Sequence, residues 1–323
     1  MSALLQQVRR TIRRHDLCPP GTRLLVAVSG GSDSVALTFV LRELAGSFSI
    51  AGLAHFNHHL RPTADRDELF CRALADRIEL PFVAGGADVR EYAASERLGI
   101  EDAARRARYA FLHRSAADLG ADRIALGHTR DDQAETFLLK LIRGAGLTGL
   151  GGIYPRRDAL VRPLLDVSRA DLREYLGTRG EAWVEDESNA ALTNARSRVR
   201  HRVIPELDAA YGGPTAASIA RAAGLAREDG GWLSELADKR YRELASIDDQ
   251  GVSFSAAELA AEPGPIRRRL LLKALRDVAG VREVALEHVD AAADILSGSS
   301  AGADLPAARL ELRRGKLVLV RKR

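Results

Sequence analysis

Cysteine is scarce: the 323 residues hold two, Cys18 and Cys71, far apart and with no Cys-x-x-Cys pair. That excludes a disulfide framework and leaves neither a zinc knuckle nor a paired redox thiol. Long apolar runs are missing too. No stretch approaches the roughly 18 to 20 residues that a membrane-spanning helix needs, and the amino terminus lacks the apolar centre of a secretory signal. The expected location is therefore cytoplasmic, with no membrane partner. Lysine is rare, five residues at 140, 239, 273, 316 and 322 within a Lys+Arg total of 48. No repeat at a solenoid period and no low-complexity tract is visible.

What is present is ordinary for a folded protein, with 46% hydrophobic and 28% charged residues, and this excludes wholesale disorder and a collagen-like fibre. The net charge of +4 favours a polyanionic partner without demanding one. The length suits roughly two domains at about 150 residues each.

Residues 3 to 14 place Leu4, Leu5, Val8 and Ile12 at helical spacing opposite arginines, which predicts an amphipathic first helix. Leu24-Leu25-Val26-Ala27-Val28 is a continuous apolar run of the kind that forms a buried parallel strand. Further strands are expected over 49–55, 82–84 and 123–126, alternating with helices over 35–44, 67–80, 100–119 and 131–143. Strands that alternate with helices predict βαβ units, so the fold class is α/β with a parallel, doubly wound sheet. Beyond about residue 205 the pattern predicts helices over 215–227, 231–244, 265–278 and 283–296, and no strand before a terminal hairpin turning at Arg314-Gly315. Turn residues cluster at Tyr211-Gly212-Gly213-Pro214. The expected division is a catalytic domain over 1–211 and a mostly helical domain over 212–323 ending in a β-hairpin.

Ser29-Gly30-Gly31-Ser32-Asp33-Ser34 lies between the first strand and a helix. That context suits phosphate binding: glycines let the backbone approach an anion, successive N–H groups surround it, and a helix amino terminus adds partial positive charge. Neither a Gly-Lys-Ser/Thr nor a dinucleotide Gly-x-Gly-x-x-Gly pattern is present. An aspartate in such a loop repels phosphate, which makes Asp33 a candidate ligand for a Mg²⁺ ion bridging to the phosphates. The competing reading is a tight strand-to-helix turn capped by Ser32 or Asp33.

This hexapeptide resembles the signature of the PP-loop pyrophosphatases, which cleave ATP between the α- and β-phosphates and pass AMP to a substrate oxygen. The segment Leu126-Gly-His-Thr-Arg-Asp-Asp-Gln-Ala-Glu135 and its continuation to Gly146 resemble the tRNA(Ile)-lysidine synthase family, as do Glu101–Tyr109, Arg162-Pro-Leu-Leu165, Glu185-Asp-Glu-Ser-Asn189 and Arg196–His201. The resemblance spans about residues 24 to 207. The family pattern has Arg-Asn where this chain has Arg196-Ser197, and Phe56-Asn57-His58-His59 varies a His-rich motif.

The resemblance implies a ligase that adenylates C2 of the wobble cytidine, position 34 of the CAU anticodon of tRNA(Ile). The ε-amine of free L-lysine then attacks to give lysidine, AMP and pyrophosphate. The implied cofactors are ATP and Mg²⁺; the oligomeric state stays open, a homodimer included. Ser29, Gly30, Gly31, Ser32, Asp33, Ser34, His55 and Gly127 are the expected nucleotide ligands, and Asp33 and Asp132 the expected metal ligands. Asp33, Arg108, His128, Asp132 and Glu135 are the expected catalytic set. On a helix beginning near Asp131, which is either functional or an amino-terminal cap, Asp132 and Glu135 share a face and suit a lysine ammonium. Arg108 is placed to meet charge on the α-phosphate. Arg196, Arg198, Arg200 and Arg202 form a patch expected to contact tRNA phosphates at the domain junction. A tRNA thiolase of the same superfamily is the enzymatic alternative and needs reactive cysteines; a nucleotide- or RNA-binding sensor without turnover is the alternative from another class.

Overall fold

The apolar run after Arg23 forms the centre of a sheet in the computed structural model, which describes residues 2–59, 64–185, 194–249, 251–279, 286–300, 302–305 and 308–322. The chain resolves into two compact units, Met1–Arg227 and Glu228–Arg323. In the first, elements follow in the order α1 (Ala3–Arg14), β1 (Arg23–Ala27), α2 (Ser32–Leu44), β2 (Ser49–Asn57), α3 (Ala64–Arg77), β3 (Phe82–Gly86), α4 (Val89–Ser95), α5 (Ile100–Asp118) and β4 (Arg123–Ala125). They continue with α6 (Arg130–Ile142), α7 (Leu147–Leu150), β5 (Arg156–Arg157), β6 (Leu160–Val161), α8 (Arg169–Gly177), α9 (Ala195–Arg198), a π-helical turn (Val199–Val203) and α10 (Ile204–Tyr211).

The sheet order is β3-β2-β1-β4-β6-β5. β1 pairs in parallel with β2 and β4, and β4 with β6, while β5 runs antiparallel to β6 at the edge. The sheet is thus mixed at one edge, because residues 156–161 turn back as a hairpin too short to register as a strand pattern. Alternation along β1 sends Leu24 and Val26 to one face and Leu25 to the other. The first face packs on Leu5, Val8 and Ile12 of α1 and on Val35, Leu37 and Leu41 of α2; the second packs on Phe111 and Leu112 of α5. Val26 pairs with both Leu53 and Ala125, and Ala125 with Val161. The carboxyl ends of β1, β2, β4 and β6 therefore lie side by side, the edge at which open α/β sheets bind ligands.

Tyr211-Gly212-Gly213-Pro214 closes α10, with Gly212 in the left-handed region at φ +71°. The next helix, α11 (Thr215–Leu244), is continuous for 30 residues where two helices were expected. Gly230 and Gly231 weaken a helix by about 1 kcal/mol each, too little to break one with more than three turns on either side. The division between compact units falls inside this helix. β7 (Ser246–Asp248), β8 (Gly251–Ser255), α12 (Ala256–Ala261), α13 (Gly264–Ala279), α14 (Leu286–Leu296), β9 (Gly302–Asp304), β10 (Ala308–Arg313) and β11 (Lys316–Arg321) follow. The start of the last expected helix, 283–285, lies outside the described residues.

The expectation of no strand before the terminal hairpin is overturned: the hairpin belongs to a five-stranded antiparallel sheet, β7-β8-β11-β10-β9. In β8 the alternation rests on two residues, Val252 and Phe254, both buried, too short a signal to separate from a loop. The hairpin itself is as expected, Arg313 pairing with Lys316 across Arg314-Gly315. Among the described residues no helix is long and apolar enough to cross a membrane.

Candidate active site

The glycine-rich loop leaves β1 and enters α2 with Gly31 as the residue before the first helical turn, so Ser32 and Asp33 begin the helix rather than cap it. Gly30 holds φ at +86°, a conformation that favours glycine. Its carbonyl accepts from the Val184 N–H at 2.9 Å. Ser34 knits the loop: its hydroxyl accepts from the Ser29 N–H at 3.1 Å and donates to the Gly31 carbonyl at 2.9 Å. Gly127, just past β4, approaches the start of α2 so closely that a Cβ there would stand 3.2 Å from the backbone of Asp33. A side chain at 127 would separate the two strand-end loops.

On the side of the sheet's carboxyl edge, a cavity of about 590 Å³ is walled by Val28, Ala54, Phe56, Leu112 and Leu126, with Ser29, Asp33, Ser34, His55, Arg108, Gly127 and His128 also on its lining. Apolar walls with a few convergent polar groups are what a nucleoside pocket requires. His55 is buried, and its Nδ1–H donates to the Val28 carbonyl at 3.0 Å. Burial lowers its pKa, leaving a neutral ring. Burial likewise pushes His128 down to about 3, so its imidazole is also uncharged near neutrality.

The second cavity, about 420 Å³, shares Ser29, Asp33, Ser34 and Asp67 with the first and adds Asp132, Arg169, Glu185 and Arg200. Its character is ionic. α6 begins at a capping box in which Thr129, not Asp131, is the cap: Asp132 Oδ2 accepts from the Thr129 N–H at 2.8 Å and from its hydroxyl at 3.0 Å. Asp131 instead accepts from the Arg169 N–H at 2.9 Å. The other Asp132 oxygen, Oδ1, meets Arg169, Arg196 and Arg200 at 3.2, 3.3 and 3.4 Å. Glu135 is buried and receives Arg196 Nε at 2.7 Å and Arg200 Nε at 2.6 Å. Arg169 Nε also reaches Asp33 Oδ2 at 3.0 Å, tying the loop to α6.

These contacts set the charges. Burial raises the Asp33 pKa, with Arg169 pulling the other way. For Asp132 burial acts upward as well, but Arg169, His128 and Arg196 outweigh it and hold the carboxyl below its usual range. Arg169 is held more firmly charged by Asp132, Asp33 and Glu135 despite its burial.

All the expected loop residues, His55, Gly127, His128, Arg108, Asp132 and Glu135 thus lie at or beside one edge of the sheet. The four arginines of the expected patch divide: Arg196 and Arg200, one helical turn apart, fold onto the carboxylates of α6, while Arg198 and Arg202 are exposed. Asp186–Asn189 lie outside the described residues. Arg169 was not anticipated. It is 136 positions from Asp33, and its local setting, Ser168-Arg169-Ala170-Asp171, reads as a helix start and nothing more. Among the described residues no group of three or more His, Cys, Asp or Glu forms a metal cluster. Asp33 and Asp132, converging on one guanidinium beside a phosphate-type loop, nonetheless suit Mg²⁺, which takes one or two carboxylates together with substrate phosphates.

Residues 4–207 match a family model described as a PP-loop domain. The chain is similar to the tRNA(Ile)-lysidine synthase of Geobacter sulfurreducens, with 41% identity over 296 residues that cover 90% of this chain and 63% of the relative. It is also similar to that of Symbiobacterium thermophilum, with 38% identity over 86% of this chain and 60% of the relative. The chain therefore spans about three fifths of the length of these relatives. Among solved structures, the U34-tRNA thiolase NcsA of Methanococcus maripaludis shares the fold, with a TM-score of 0.56 and 16% identity over 70% of this chain and 79% of that one.

Proposed function

The chain belongs to the PP-loop domain family, and from that membership we propose that it is an ATP-dependent ligase that makes lysidine at the wobble cytidine of tRNA(Ile). The observation that carries the reading is the junction of an apolar nucleoside-sized cavity with a carboxylate-lined one across a single glycine-rich loop. The resemblance of 90% of the chain to a tRNA(Ile)-lysidine synthase supports the choice of substrates.

In this reading the adenosine of ATP takes the apolar cavity and its phosphates cross Ser29–Ser34. The C2 oxygen of cytidine attacks the α-phosphorus and pyrophosphate leaves. The lysine ε-amine then attacks C2, the C2–O bond breaks, AMP departs and the amine gives up a proton. Arg108 faces charge building on the α-phosphate, and neutral His128 offers a hydrogen bond at the same place without adding charge. Asp33 and Asp132 would hold Mg²⁺, which when bound neutralises charge on the phosphates.

Asp132 and Glu135 receive the lysine ammonium. Their oxygens are taken by Arg169, Arg196 and Arg200, so lysine enters by replacing a guanidinium, which keeps the buried carboxylates paired throughout. A lysine with an ordinary pKa near 10.4 arrives charged and loses its proton only after binding. Exposed Arg198 and Arg202 serve RNA phosphates, and the unit after the helical junction supplies further RNA contact.

The thiolase alternative fares poorly. Cys18 and Cys71 are both buried, and burial pushes each thiol up to about 12, which suppresses the thiolate such chemistry uses. The test is pyrophosphate release from ATP with Mg²⁺, tRNA(Ile) bearing a CAU anticodon, and lysine, each omitted in turn. A lysine-bearing nucleoside that depends on all three is expected. Adenylation without lysine transfer reopens the second substrate, and binding of ATP and tRNA with no turnover favours the sensor.

A further inference from the structure

Three buried nitrogens near the carboxyl edge of β4 and β6 have no hydrogen-bond partner among the described residues, Arg108 Nε, His128 Nδ1 and Arg162 Nε, and the Tyr109 hydroxyl stands among them. Topology brings them together. Arg162 follows β6, whose Val161 carbonyl accepts from the Leu126 N–H at 2.9 Å, so it stands alongside the turn that carries His128. Tyr109 belongs to the α5 segment that packs with Leu126 and Leu160 on the same face of the sheet. Arg105 and Arg108 lie over the Tyr109 ring, 5.1 and 5.3 Å from its centroid.

The charge balance here differs from that around α6. Among the described residues Arg105, Arg108 and Arg162 pair with no carboxylate, whereas Arg169, Arg196 and Arg200 each meet at least one. Arg162 is 4% exposed; its guanidinium donates from Nη1 to the Tyr154 carbonyl at 2.6 Å and also faces the Tyr109 hydroxyl. Burial acts to raise the Tyr109 phenol, but the three arginine charges and a hydrogen bond from Arg162 outweigh it and lower its pKa. A buried guanidinium without a counter-charge is costly. Three guanidiniums gathered around a single neutral phenol, with no carboxylate among them, are ready for an anion.

We propose that Arg105, Tyr109 and Arg162, beside Arg108, form a second phosphate subsite, separate from the glycine-rich loop, for a phosphate ester of the bound substrate. The inference rests on the reading above for its two sources: a phosphate of the nucleotide, or a phosphodiester flanking the target base of the RNA. Tyr109 acts as a clamp, its ring holding two guanidiniums and its hydroxyl adding a donor.

Two titrations on the full chain test it, one with a tRNA(Ile) transcript across a range of salt and one with a non-hydrolysable ATP analogue. Arg162→Gln and Arg105→Gln are each expected to weaken one of the two by about tenfold, with Arg162→Lys partly restored. If the phosphate is the RNA's, the salt slope falls by about one and the nucleotide affinity holds. If it is the nucleotide's, the analogue weakens and the slope holds. Unchanged binding of both ligands by folded variants overturns the subsite. Should Arg162→Gln fail to fold because it braces Tyr154, exposed Arg105 carries the test. Should the unaltered chain bind no tRNA, the proposed function fails while the nucleotide titration still decides the subsite.

Discussion

The two cavities that meet at Ser29, Asp33 and Ser34 are built on opposite plans. One is walled by Val28, Ala54, Leu112 and Leu126, residues already fixed by the packing of the sheet on the helices of its two faces. The other is walled by ions, Asp33, Asp67, Asp132 and Glu185 with Arg169 and Arg200, and buried Glu135 backs it by holding Arg196 and Arg200. The first recognises by shape and is complete before a ligand arrives. The second recognises by exchange of cations, so its form depends on which cation is present. In the proposed function the nucleoside suits the former and the charged amine the latter.

Asp33 joins the two plans, because it belongs to both cavities and bridges to Arg169. Asp33→Asn keeps the size and removes the charge. Pyrophosphate release is expected to fall on the order of a thousandfold while the urea midpoint changes little, since burial already disfavours the ionised form. A comparable loss of ATP affinity in place of turnover would assign Asp33 to the nucleotide cavity alone.

Glu135→Gln and Leu126→Ala sharpen the contrast. The first strips charge from a side chain that is 1% exposed and faces three guanidiniums. Leaving them unbalanced is expected to cost about 3 kcal/mol, with a stability that varies with salt. Leu126→Ala is expected to cost a similar or slightly smaller amount, about 2 to 3 kcal/mol by cavity formation, with none of that salt dependence. Denaturation in urea at low and high ionic strength checks both; equal salt responses would erase the distinction between the cavities.

The apolar cavity was the more legible of the two in sequence. Leu24–Val28 reads as a buried strand, and Ser29–Ser34 and Gly127–Glu135 stand just past strand ends, so a pocket at that edge follows from local pattern and topology. The ionic cavity was half legible. The i, i+3 spacing of Asp132 and Glu135 gives their shared face, but nothing local says that Arg196 and Arg200 turn inward while Arg198 and Arg202 stay out. That depends on the helical phase of 195–203, including a π-helical turn. Arg169 was invisible, because its partners are set by tertiary approach alone. In the second unit β7, β8 and β9 were missed for a related reason: three- and five-residue strands gain their identity from pairing, β8 with β11 and β9 with β10, and carry little pattern of their own.

The smallest effect is a pH dependence that comes from the shape-built side. His128 titrates near 6.5 in an unfolded chain, and burial takes it down to about 3 in the fold, with Arg162, Arg108 and Arg196 acting in the same direction and Asp132 against. The unfolded chain therefore binds a proton at a higher pH than the folded one. The stability attached to this difference is fully present above about pH 6.5 and is lost progressively as pH falls toward 3. Replacing His128 with Asn removes that contribution to the slope, so stability measured in urea from pH 7.5 down to 5 is expected to decline less steeply in the variant. His55, also lowered by burial, keeps a residual slope of the same sign in both proteins. Asp33, raised by burial, favours the fold at low pH in both, so neither contaminates the difference. Parallel curves for variant and parent would mean that His128 takes up its proton in the folded chain as readily as in the unfolded one, and the neutral imidazole beside the loop would have to be given up.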